Sequence, residues 1–125
     1  MITFDEAAVM LDSLAEEFPE EFYSGLNGGV YLKPEVKRHP ESVPGQPLYI
    51  LGEFVSRHDL GKFINIYYGS FIKVYGHCTP DEAEAELRRI LAHEFTHHLE
   101  FLAGERGLEI KDADDMARYR NGTIQ

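Results

Sequence analysis

The chain has a single cysteine, Cys78, so no disulfide can form within it, and a reducing compartment suits it. Basic residues are also scarce: 12 lysines and arginines stand against 22 aspartates and glutamates, a formal charge of -10. Such a surface repels phosphate backbones and anionic headgroups, which argues against nucleic acid or membrane partners. No apolar run approaches the roughly 18 residues of a membrane span. The opening "MITFDEAAVMLDSLAEEF" has neither the basic n-region nor the unbroken apolar core of a signal peptide. These absences predict a cytoplasmic protein.

What is present is enough for one core. A length of 125 residues, 43% hydrophobic and 27% charged, predicts a single globular domain over 1–125. Thr3 followed by Glu6 forms a capping box, and Phe4, Ala8, Leu11, Leu14 and Phe18 share one face of a helix over 3–18. Pro19 opens a second short helix in "PEEFYSGL", which "NGG" at 27–29 breaks. Val30 to Lys33 predicts a strand, followed by a proline-rich surface loop over 34–47. "LYILGEFVS" (48–56) and "FINIYY" (63–68) predict a hairpin, and "GSFIKVYG" (69–76) a turn or one helical turn.

The clearest helix is "TPDEAEAELRRILAHEFTHHLEFLAGE". Thr79 caps it, Pro80 takes its first position and Glu82 completes a capping box. Leu87, Leu91, Phe95, Leu99 and Leu102 form its apolar stripe, and Gly104 is placed to end it. A short last helix is predicted in "DADDMARYR", capped by Asp112. Helices, then strands, then helices make an α+β protein.

Three of the six histidines fall in "HEFTHH", residues 93–98. His93, Glu94 and His97 match H-E-x-x-H. Four residues turn a helix by about 400°, so His93 and His97 lie on one face and can converge on a single ion. Glu94 projects about 100° away, where it is no ligand but can act as base towards a water held by the metal. The competing reading is a solvated helix face, since histidine and glutamate are common there. The position of the motif inside a well-capped helix, off its apolar stripe, favours a metal site. His98 is expected to hydrogen-bond locally. Tyr67, Tyr68 and Tyr75 are expected to be sheet and core aromatics more than oxyanion donors.

A small sheet followed by a helix carrying "HEFTHHLE" (93–100) resembles the zincin-like fold. Together with "EEF" near the end of the first helix and "INIYYGSF" (64–71), it resembles the small bacterial metallopeptidases called minimal zincins. The resemblance runs from about residue 3 to 120. It implies Zn²⁺ held by His93 and His97, Glu94 as catalytic base, and a peptide or small protein as substrate. That family's pattern, H-E-x-x-H-x-x-G-x-x-D, draws its third ligand from an aspartate after a glycine turn; here those positions hold Glu100 and Ala103. Aligning "IKDADDMARY" with the family's following segment places Asp112 over that aspartate. Glu105, expected just past the helix end, is the next candidate, and Asp112 also suits an ordinary N-cap. Two functions follow: a zinc metallopeptidase, or a metal-binding or interaction module on the same fold with little or no turnover.

Overall fold

The computed structural model describes residues 1–105. The order of elements is α1 (Phe4–Glu17), a 3₁₀ turn (Glu20–Tyr23), β1 (Gly29–Lys33), β2 (Gly52–Arg57), β3 (Gly61–Tyr67), α2 (Tyr68–Tyr75) and α3 (Pro80–Glu105). Both capping boxes form. Thr3 Oγ1 accepts from the Glu6 amide while Glu6 Oε1 accepts from the Thr3 amide, and Thr79 and Glu82 repeat the exchange at the start of α3. Pro19 precedes the 3₁₀ turn instead of lying inside it.

The sheet is small and mixed, with β3 in the centre, β1 parallel to it and β2 antiparallel. Alternation sorts the side chains. Ile64 and Ile66, fully buried, share a face with Phe54 of β2, and that face meets α3 through contacts of Phe54 with His98 and Phe101. Asn65, Tyr67 and Glu53 point the other way. The result is a one-layer sheet backed by helices, an α+β architecture.

Three expectations are corrected. The strand over 48–56 starts only at Gly52, because Leu48 and Ile50 pair instead with the proline-rich segment. The His39 amide donates to the Leu48 carbonyl, and the Ile50 amide to that of Lys37, each at 2.8 Å. The segment is thus a short antiparallel arm, with Ser42 Oγ bridging both backbone groups of Leu48. "GSFIKVYG" forms two turns of helix, anchored by Ser70, whose hydroxyl accepts from the Lys37 amide at 2.8 Å. Third, α3 continues through Gly104 to Glu105.

The buried face of α3 consists of Ala83, Leu87, Ile90, Leu91, Glu94, Phe95 and His98. Leu99 is 36% exposed, while His98 has none of its surface exposed. The reason is geometric: each step of four overshoots a full turn by about 40°, so a stripe extended only by fours drifts off the core, and a step of three restores it. Phe95 anchors this face, with ring centroids 5.0 Å from Phe18, 5.7 Å from Phe22 and 5.0 Å from Tyr23. Tyr23 in turn donates its hydroxyl to the Ala15 carbonyl and ties the 3₁₀ turn to α1.

Phe95→Ala should therefore cost about 3–5 kcal/mol in urea unfolding, because it empties the contact of three aromatic rings. A loss under about 1 kcal/mol would show that this cluster does not hold α3 in place.

Candidate metal centre

The interior of α3 presents its polar motif in two layers. Positions 90, 94 and 98 lie on the buried side, while His93 and His97 lie half-buried at its edge. The two imidazoles meet edge to face, with centroids 4.5 Å apart and planes at 88°. Their Nε2 atoms are 2.9 Å from each other. Two nitrogens bound to one tetrahedral zinc at 2.0–2.1 Å stand about 3.3 Å apart, so a few tenths of an ångström of separation converts this pair into two ligands. The same distance also allows one neutral ring to donate to the other.

Glu94 is only 4% exposed. Its carboxylate lies against the start of β2, where Gly52 leaves room for it. A glutamate in a helix interior on the core side is unusual, because a buried carboxylate is costly unless it is hydrogen-bonded or paired.

His98, next to the pair, faces elsewhere. Nε2 lies 3.0 Å from the Ser24 carbonyl, 74 positions away in sequence, and the ring packs on Phe54 with centroids 5.3 Å apart. A carbonyl only accepts, so Nε2 carries the proton and donates. Burial holds the pKa of His98 below the ordinary histidine value, which keeps the ring neutral. The expected local bond is thus a tertiary one, joining α3 to the loop before β1. Only the phase of the buried face would have shown it in the sequence.

The tyrosine hydroxyls are engaged away from the histidine pair. Tyr67 donates to Glu53 Oε1 at 2.7 Å, beside Lys37, on the sheet face turned away from α3. Tyr68 donates to the Ile2 carbonyl, and Tyr75 lies 2.6 Å from Arg89 Nη2. Cys78 has a half-exposed thiol that burial and the nearby carboxylates of Glu82 and Glu86 push up in pKa.

Of the two sequence candidates for third ligand, Glu105 is carried about 12 Å along the axis from His97 because the helix does not turn back at Gly104. Its carboxylate lies 3.6 Å from Lys62 Nζ. Asp112, like the predicted last helix, is outside the described residues. Among the described residues, no three histidine, cysteine, aspartate or glutamate side chains group to hold a metal ion. No described helix is long and apolar enough to cross a membrane.

No family model matches this chain, and no curated protein does. A solved structure does match: a conserved hypothetical protein from Thermus thermophilus, 38% identical, with a TM-score of 0.70. The match covers 82% of this chain and 99% of that one. At that identity and coverage, this chain belongs to the same family as the Thermus thermophilus conserved hypothetical protein.

Proposed function

We propose that the protein is a zinc-dependent hydrolase of peptide bonds on a zincin-like fold. The observation that carries this reading is the convergence of His93 Nε2 and His97 Nε2, 2.9 Å apart, beside a buried Glu94. Two nitrogen donors fit zinc, which is borderline-soft and takes imidazole readily. A structural zinc site would have no use for a buried glutamate between its two histidines. Asp112 is the proposed third ligand.

Zinc, when bound, supplies a Lewis acid that polarises the scissile carbonyl and makes water easier to deprotonate. The chain supplies the rest. His93 and His97 hold the ion through Nε2, on one face of a helix whose core side is fixed by Phe95 and Leu91. An Oε atom of Glu94 accepts the proton of the attacking water and returns it to the leaving amine. An extended peptide substrate is aligned by a strand that offers it a free edge. β3 is paired on both sides, whereas β2 is an edge strand and lies against α3, so β2 takes that role.

The second reading is a metal-binding or interaction module with little or no turnover, in which the histidine pair binds its ion and Glu94 takes no part in chemistry.

Glu94→Gln separates the two. A hydrolase keeps its zinc and loses about 100-fold or more of its rate on a peptide panel; a variant that cleaves as fast as the parent would remove Glu94 from the chemistry. The third ligand is tested by zinc competition titration. Loss of a mere supporting hydrogen bond costs about 10–100-fold in metal affinity, so Asp112→Asn should cost more than that, and Glu105→Gln nothing. The reverse order would assign the ligand to Glu105.

A further inference from the structure

β2 begins with a glycine whose backbone does not require one: among the described residues the positive-φ glycines are Gly25, Gly29, Gly45 and Gly61, and Gly52 is not one of them. Glycine weakens a strand and contributes no packing, so its presence inside one marks the close approach of another group. Here that group is specific. A Cβ on Gly52 would stand 3.0 Å from Glu94 Cγ, 3.0 Å from Ile90 Cγ2 and 3.1 Å from Glu94 Oε2.

The space is narrow along the strand. Two residues on, the same face carries Phe54, a full aromatic side chain that packs on His98 and Phe101 one and two turns further along α3. The sheet therefore meets α3 with bulk at His98 and with none at Glu94. Across the register, Gly52 stands opposite Ile66, itself fully buried, so a new side chain cannot swing inward across the sheet. An atom added at position 52 must push back the Ile90 or the Glu94 side chain, and the Ile90 side chain is fully buried in the core, so the Glu94 carboxylate is the group that gives.

We propose that Gly52 is a positioning residue for Glu94. By presenting bare backbone, it seats the carboxylate between β2 and α3 and fixes where the Oε atoms stand relative to the histidine pair. The inference rests on the reading of Glu94 as the base of a hydrolase. A Cβ at this position pushes its neighbours back by a few tenths of an ångström; since misplacement of a reacting group by about 1 Å costs on the order of 100-fold in rate, a shift of that size costs about 5- to 10-fold.

The test is Gly52→Ala in the full chain, made in three backgrounds: the parent, Glu94→Gln and Glu94→Ala. Glutamine fills the same space as glutamate, whereas alanine vacates it. G52A should lower the melting temperature equally in the parent and in E94Q, and clearly less in E94A. In zinc-loaded parent protein it should lower kcat by about 5- to 10-fold, with KM and zinc content unchanged, a split that general destabilisation would not produce. Equal thermal losses in all three backgrounds, or an undiminished kcat, would overturn the proposal. If G52A does not fold, folding of G52A/E94A still supports the seat; failure of both assigns the space to Ile90 and sinks the proposal. A parent that cleaves nothing removes the hydrolase reading alone, because the thermal comparison needs no substrate.

Discussion

The phase of α3 against the sheet is the constraint on which the rest of the structure depends. One helix face runs from Ala83 through Leu87, Ile90, Leu91, Glu94 and Phe95 to His98, and all of it is buried. Phe95 sets the phase by entering a nest of Phe18, Phe22 and Tyr23, and Ile90 and Leu91 fix it a turn earlier. Once that face is inside, His93 and His97 are carried to the rim, close enough to converge and open enough to meet a ligand. A rotation of α3 by one position, about 100°, would bury the pair or turn it to bulk solvent.

Two polar groups lie on this buried face, and they are treated differently. His98 is kept neutral by burial and spends its one N–H on a carbonyl of the loop before β1, so it works as a tertiary tie. Glu94 is seated where the strand withdraws. Buried polar groups of this kind cost stability unless they are satisfied, and placing one beside a histidine pair is what a site, more than a core, requires. The far face of the sheet has its own polar group, in which Tyr67 and Lys37 both bond Glu53. That group secures the arm to the sheet and stands apart from the histidines.

Much of this was legible in the residues. Thr3 with Glu6 and Thr79 with Glu82 marked two helix starts, because a capping box is a local exchange of hydrogen bonds that needs no tertiary partner. The β2–β3 hairpin and the H-E-x-x-H spacing were equally local. What the sequence hid was tertiary. The arm over 37–50 forms because Lys37 and His39 find Ile50 and Leu48 across three prolines, and proline signals had predicted open loop. Counting by fours kept Leu99 on the apolar stripe and missed His98. Gly104 looked like a stop, but α3 passes through it, which moved Glu105 away from the pair and left Asp112, beyond the described residues, as the proposed third ligand.

That His93 and His97 hold a metal is tested most directly by measuring zinc per chain in protein purified without a histidine tag, beside His97→Ala treated identically. The parent should carry about one zinc per chain, as one two-histidine site requires, and the variant should retain none. Zinc absent from both after dialysis against the metal, or bound equally by both, would contradict the metal site and return "HEFTHH" to an ordinary helix face.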